Sequence, residues 1–336
     1  MSAQASGVYV RGSSELIWVL DDPRAGTAAQ AIGIAERLGM AHRRIPLAWN
    51  WKSRVAALAP HGSLIGVAAD GRSFEAADEA RPGLVISAGR RSAPVALWLR
   101  QRYGSRLVHC MQPGLSGLFR RDAFDLLVIP AHDRPAPAAN VMPVLGAPHR
   151  VSPLSLAHAE RTWDERLGHL PHPRIALLVG GPVRAVGMPP SLAHTLGRNV
   201  AQLAINLGGT VMATTSRRTG DEAADALAAG LGPAMHMHYR WGEPDENPYM
   251  GFLASADVIV VTADSVSMIS EACATDAPVY IALPELAGGR HRSLIEQLAQ
   301  AGQVRPFVHS LAAWPRTPLD EAGRVADEIR KRFVLE

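Results

Sequence analysis

The sequence predicts an α/β protein built as two doubly wound, Rossmann-like domains facing a cleft. Three observations predict it. Short apolar runs alternate with longer amphipathic stretches along the chain, and the runs are near-continuously hydrophobic. Strands of that kind belong to parallel sheets covered by helices on both faces. The 336 residues are enough for about two domains, each with its own core. Finally, the Pro/His-rich stretch AHDRPAPAANVMPVLGAPHR (131–150), followed by LGHLPHPR (167–174), breaks the alternation. It reads as a linker region with a short helix over 153–168. The expected domains are residues 1–150 and 151–336.

In the first half, ELIWVLDD (15–22) reads as a strand, AGTAAQAIGIAERLG (25–39) as a helix and RRIPLAW (43–49) as a second strand. GLVISAG (83–89), RLVHCMQ (106–112) and FDLLVIP (124–130) follow as strands, with a helix over RSAPVALWLRQRYG (91–104). In the second half RIALLVGG (174–181), TVMATTS (210–216), AMHMHYRW (234–241), VIVVTAD (258–264) and PVYIAL (278–283) read as strands. Helices are expected near 190–207, 219–230, 248–255, 265–275 and 291–301. The two halves look like one architecture used twice. The last helix, PLDEAGRVADEIRKRF (318–333), is amphipathic and is a candidate to pack back on the first domain.

Composition excludes several classes. The net charge is +3, Lys52 and Lys331 are the only lysines, and no dense basic run appears, so nucleic acid is not an expected partner. Cys110 and Cys273 fall in different predicted domains and make neither a disulfide framework nor a zinc pattern. No apolar run approaches the ~20 residues of a membrane helix, and MSAQASGVYVRGSSE lacks a signal-peptide core. The expectation is a cytoplasmic protein, at most peripheral to a membrane. LAWNWKSRVAAL (47–58) sets Trp49 and Trp51 beside Lys52 and Arg54, a mixture suited either to a membrane interface or to packing a loop on its domain.

The richest stretch is VVTADSVSMISEACATDAPVYIALP (260–284). At ~100° per residue, Asp264, Ser267 and Glu271 share one stripe of a helix, with Val266, Ile269 and Cys273 opposite. A helix start at a strand's C-terminal end suits a phosphate. Asp264, Ser265 and Ser267 are candidates to meet it, and Glu271 can accept from sugar hydroxyls. The plain alternative is that Asp264 or Ser265 caps the helix. In LLVGGPVRAVGMPP (177–190), Gly180 and Gly181 allow close backbone approach and Arg184 can fork a phosphate. ATTSRRTGDE (213–222) brings Ser216, Arg217 and Arg218 to another strand end, where a pairing with Asp221 or Glu222 is the competing reading. Asn247 starts a helix beside a loop that can face a base edge. In the first domain LDDPRAG and SAGRRS bring Asp22, Arg24, Gly26, Arg90 and Arg91 to strand ends on the acceptor side. His236 and His238 share one strand face and read as packing or solvent residues. His109, His132 and His149 are scattered, and no metal motif is present. No metal and no cofactor are expected.

GGPVRA, TTSRRT, NPYMGFLASADVIVVTADSVSMISEA, SAGRRSAP and GAPHRV together resemble the mitochondrial-fission family named for plants with elongated mitochondria. Its bacterial members are sometimes labelled nucleoside-diphosphate-sugar epimerases. In plants the family is linked to recruiting a dynamin-related protein. The second domain is also similar to the nucleotide-binding half of GT-B glycosyltransferases. There the resemblance assigns Gly180-Gly181 to the loop after the first strand, and Ser270-Glu271, with Pro278 seven residues after the Glu, to ribose. Asp264-Ser265-Val266-Ser267 is similar to the Asp-Ser-Gly-Gly helix start of UDP-N-acetylglucosamine 2-epimerases, without its glycines. The first loop, LDDPRAGTAAQ, lacks the glycosyltransferase histidine, and Asp22 is the replacement base.

The resulting expectation is a metal-independent GT-B-like glycosyltransferase that uses a nucleotide-diphosphate sugar, of UDP type, and an unidentified acceptor, with a lipid-linked one among the candidates. Epimerisation of the same donor is the second reading and requires acid/base groups on both faces of the sugar. A recruitment protein that keeps the fold without turnover is the third.

Overall fold

The computed structural model describes residues 16–56, 61–69, 81–114, 120–181, 188–308 and 311–333. The first sheet is formed by β1 (Ile17–Asp21), β2 (His42–Pro46), β3 (Leu84–Ala88), β4 (Arg106–Cys110), β5 (Leu126–Pro130) and β6 (Val141–Val144), in the order β2-β1-β3-β4-β5-β6. Every pairing is parallel. Along β1, Ile17 and Val19 point to one face and Trp18 and Leu20 to the other, as strand periodicity requires. The first pair packs with α1 (Ala25–Leu38), and the second with α2 (Ala93–Tyr103). Burial on both faces is why β1 reads as a continuous apolar run. Each such side chain contributes about 1.5–3 kcal/mol.

A capped helix, α3 (Pro153–Leu167), leads into the second domain. Ser152 and Ser155 exchange side-chain-to-backbone bonds at its start, and Pro153 follows the cap. Trp163 and Leu167 pack into the second core. The second sheet comprises β7 (Arg174–Val179), β8 (Thr210–Thr215), β9 (His236–Tyr239), β10 (Val258–Thr262), β11 (Val279–Ala282) and β12 (Val304–Pro306). The order is β12-β11-β10-β7-β8-β9, parallel throughout. Its helices are α4 (Pro190–Leu207), α5 (Asp221–Leu231), α6 (Tyr249–Ser255), α7 (Val266–Ala272) and α8 (Gly289–Gln300).

The fold class is the expected one, with three differences. The halves do not share a strand order: the second has the dinucleotide-fold order with its switch point between β7 and β10, whereas the first switches between β1 and β3. The linker stretch contains β6, whose half-exposed, proline-bearing sequence VMPV lacks a strand's usual apolar signal. The three-residue β12 was too short to show any pattern.

The last helix, α9 (Glu321–Phe333), returns to the first sheet. Ala322, Val325, Ala326 and Ile329 are fully buried in the core that contains Ile17 and α1. Arg330 donates to the Arg37 carbonyl at 2.6 Å, and Arg37 pairs with Asp320 at 2.8 Å. The crossing segment 146–151 lies on α1. A Cβ on Gly33 would stand 2.2 Å from the His149 carbonyl oxygen, and Arg150 grips Glu36 through Nε and Nη2.

Candidate functional site

The strands' C-terminal ends open onto a cleft of ≈ 940 Å³ between the domains. Arg24, Gly26, Thr27 and Gln30 of the α1 start line the first wall, with Met111 after β4, His132 and Asp133 after β5, and Ala147 after β6. Asp264, Val266 and Ser267 line the second, together with Leu286 and the run Gly288 to His291 at the start of α8. Asp133 and Arg290 meet across the gap at 3.3 Å.

Four polar atoms in this lining are buried and have no hydrogen-bond partner: Gln30 Oε1, His132 Nδ1, Asp264 Oδ1 and His291 Nδ1. Gln30, His132 and Asp264 are 7%, 9% and 1% exposed, and His291 is half-buried. An unpaired buried polar atom costs about 1–3 kcal/mol, so four around one cleft mark a surface prepared for a ligand. Met111 adds strain, with φ +74 at a non-glycine residue, a conformation that clusters at functional sites. α1 and α8 begin without a side-chain cap, at Arg24 and Gly288. Their first N–H groups and positive dipole ends therefore favour an anion.

Burial lowers the pKa of His132, opposed by Asp133 and reinforced by Arg290 and His291. His291 is also lowered, first by burial, with Asp264 raising and Arg218 lowering it. Both imidazoles are consequently held toward the neutral, proton-accepting form. Among the described residues, no group of three or more His, Cys, Asp or Glu side chains is placed to hold a metal.

Of the residues singled out in the sequence, Arg24, Gly26, Asp264 and Ser267 line the cleft. Gly26 lies so close to Ser267 that a Cβ would meet its Oγ at 2.6 Å. Asp264 does not cap the helix. Its Oδ2 accepts the Gly181 N–H across the β7/β10 switch point, while Gly180 N–H bonds to Thr262 at 2.8 Å. The glycine pair is required by the protein itself: a Cβ on Gly180 would meet the Asp264 carboxylate at 2.5 Å, and one on Gly181 the Arg218 carbonyl at 2.0 Å. Ser265 is the helix cap, its Oγ accepting from Met268 at 3.4 Å, so the plain reading holds there. Val266, expected on the packing stripe, packs against the second core and also lines the cleft.

Asp22 lies behind the cleft wall. It is buried, does not line the cleft, and accepts from Arg24 N–H at 2.9 Å and Trp49 Nε1 at 2.8 Å. Both carboxylate oxygens thus hold the β1 loop and the Trp49 segment in place. Trp49 packs on the first core, whereas Trp51 is 78% exposed with Lys52 over its ring at 5.6 Å.

Glu271 lies outside the cleft lining and bonds to the Tyr249 hydroxyl at 2.5 Å. Burial raises its carboxyl to about 7, opposed by that bond. Ser270, the other half of the ribose pair implied by resemblance, is occupied in a contact between the domains: its Oγ accepts Ala147 N–H at 3.0 Å. Ser216 belongs to a turn with Thr219. Neither Arg217 nor Arg218 pairs with Asp221, which binds Arg240 at 2.8 Å. Arg217 is exposed, and Arg218 is near enough to His291 to shift it. Asn247 is exposed and caps Tyr249 N–H at 3.0 Å. Arg90 is exposed on the turn after β3, Arg91 half-buried beside it, and neither lines the cleft. Arg184 lies outside the described residues.

His109 is a core residue bonded to Ser87 at 2.8 Å and held neutral, burial lowering it to about 3. His149 is buried in the crossing segment and lowered to about 4, again mainly by burial. His236 bonds to the Ala234 carbonyl at 2.7 Å on an edge strand. Sequence reasoning missed Gln30, Met111, Asp133, Arg290 and His291. The sequence signal available was Gly288-Gly289-Arg290-His291-Arg292 between a strand and a helix.

Comparison with known proteins agrees with this architecture. A family model described as mitochondrial fission ELM1 matches residues 25–333. The mitochondrial fission protein ELM1 of Arabidopsis thaliana is 29% identical over 279 residues, which is 75% of this chain and 64% of that protein. The chain thus spans less than two thirds of that relative's length. Among solved structures, the UDP-GlcNAc 2-epimerase of Neisseria meningitidis bound to UDP-GlcNAc is similar at TM-score 0.51 and 12% identity, over 96% of this chain and 100% of that one. The glycosyltransferase SnogD of Streptomyces nogalater gives 0.50 and 16%, over 96% and 95%. At such identity the likeness carries the fold alone: two parallel α/β domains in the arrangement of GT-B glycosyltransferases and epimerases. On the extent of the family match, the chain belongs to the mitochondrial fission ELM1 family.

Proposed function

We propose that this protein binds a nucleotide-diphosphate sugar, of UDP type, in the cleft and transfers the sugar to an acceptor held against the first domain. One observation carries the reading: four buried, unpartnered polar atoms, Gln30 Oε1, His132 Nδ1, Asp264 Oδ1 and His291 Nδ1, line a cleft at the C-terminal ends of two parallel sheets. In the transfer, the acceptor oxygen bonds to the anomeric carbon while that carbon's bond to the diphosphate oxygen breaks. The bonding pair leaves with the diphosphate, and the acceptor's proton passes to a base. We assign that base to His132, because it is buried, neutral and on the acceptor wall, in place of Asp22. The charge on the leaving diphosphate is stabilised by Arg24, Arg290 and the uncapped starts of α1 and α8.

A second reading is favoured by the distribution of titratable groups. His132 and Asp133 stand on one wall, His291 and Asp264 on the other. Epimerisation needs acid/base groups on both faces of the sugar, and the two walls supply them. The acceptor-side patch formed by Trp51, Val55 and Ile65, all exposed, with Lys52 beside them, suits a lipid-linked acceptor at a membrane surface. No described helix is long and apolar enough to cross a membrane.

The test is a thermal-shift panel of nucleotides and nucleotide sugars. A ligand at about a hundred times its dissociation constant adds ~2.7 kcal/mol to the folded state. Binding donors are then incubated in D2O without acceptor. Release of free sugar in place of transfer supports a transferase, whereas deuterium entering the sugar ring of the intact donor supports an epimerase. No shift with any nucleotide leaves the recruitment reading.

A further inference from the structure

Where the donor's diphosphate binds is a question the cleft geometry can answer, provided the nucleotide-sugar reading above is right. α8 is a twelve-residue helix that starts in the cleft with Gly288 at its cap position and no side-chain cap. A Cβ on Gly289 would meet nothing within 4 Å, so the backbone here faces open space. Arg290 and His291 follow directly and line the same cleft. Opposite them, His132 is 9% exposed and its Nδ1 has no hydrogen-bond partner. Its electrostatic neighbours are Asp133, Arg290 and His291. An uncapped helix start, a guanidinium and an unpaired buried ring nitrogen therefore converge.

Arg290 already holds one anion. Its Nε lies 3.3 Å from Asp133 Oδ1, with the arginine side chain 65% exposed and the aspartate 10%. A pair so open to solvent on one side is weak and readily exchanged, and a diphosphate offers more charge and a better fork for guanidinium. Arg217, the earlier candidate, is exposed outside the lining.

We infer that Gly288, Gly289, Arg290 and His291 form the subsite for the diphosphate, beside His132, and that Arg290 exchanges Asp133 for that anion on binding. The exchange releases the ion pair between the walls at the moment the ligand bridges them.

The experiment is calorimetric titration of the full chain, wild type, Arg290→Ala and Asp133→Asn, with inorganic pyrophosphate, UDP and uridine. Arg290→Ala is expected to weaken pyrophosphate and UDP about tenfold or more and leave uridine unchanged. Asp133→Asn is expected to tighten both anions by roughly severalfold, because it removes the competing carboxylate. A merely structural latch would be lost in either variant and would move affinity in the same direction in both. UDP binding equally well to wild type and Arg290→Ala overturns this subsite and leaves the nucleotide reading standing. Pyrophosphate bound through Arg290 without any nucleotide binding keeps the subsite and overturns the nucleotide. If neither anion binds the wild type, both fall.

Discussion

Ser270 Oγ accepts the backbone N–H of Ala147 at 3.0 Å, which ties α7 of the second domain to the loop after β6 of the first. The same serine fills the space beside Gly146, where a Cβ would stand 2.7 Å from Oγ, and Gly146 has φ +92. Ser270→Ala leaves a buried N–H unpaired and is expected to cost about 1–3 kcal/mol. Gly146→Ala should cost at least as much, since left-handed backbone strain adds to the contact. Urea unfolding of both variants checks this, and no loss in either would contradict the tie.

Burial of its carboxyl pushes Glu271 up to about 7. It holds its proton more tightly folded than unfolded. Its contribution to stability is therefore full below the ordinary carboxylate range and is lost as pH rises toward and through about 7. Between pH 5 and 8 the wild-type Tm should fall relative to that of Glu271→Gln. Parallel Tm profiles would place the titration elsewhere.

His132 and Asp22 separate by kinetics. His132→Gln is expected to lower kcat of transfer by about 10²–10⁴-fold if it is the base. Asp22→Asn removes one acceptor from Arg24 N–H or Trp49 Nε1 and should cost about 1 kcal/mol of stability with a changed Trp49 environment. A collapse of kcat at unchanged Tm in Asp22→Asn would restore that residue as the base.

Ile329 is fully buried where α9 meets the first core. Ile329→Ala should destabilise by about 2–5 kcal/mol. The first sheet should then lose amide-exchange protection together with α9, and independent behaviour of the two would show that the helix is only loosely docked.

Trp51 projects into solvent, so Trp51→Ala should change stability by less than about 0.5 kcal/mol. The same change should lower sedimentation with anionic vesicles if this patch meets a membrane. Equal sedimentation would remove the lipid surface from the acceptor side.

The sequence by itself determined the strands and helices that form the two sheets, because strands buried on both faces must be apolar along their whole length and the intervening helices amphipathic. β1, β7 and β10 carry that signal, whereas VMPV of β6 and VRP of β12 do not. It also brought out Gly180, Gly181 and Asp264 as candidate ligand groups. Only the tertiary structure showed that Asp264 and Gly181, 83 residues apart, bond to each other across the switch point. Nor could the order of strands be read, since local pattern does not say which strands pair.

Arg290 and His132 lie in different domains and become neighbours only when the two C-terminal strand ends face one another. Asp22, a strand-end residue, is tied to a distant segment in the same way, because Trp49 arrives to donate to its second oxygen. Local periodicity reports burial, which each residue expresses in its own type. A site is made by the convergence of distant segments, and that is a property of packing.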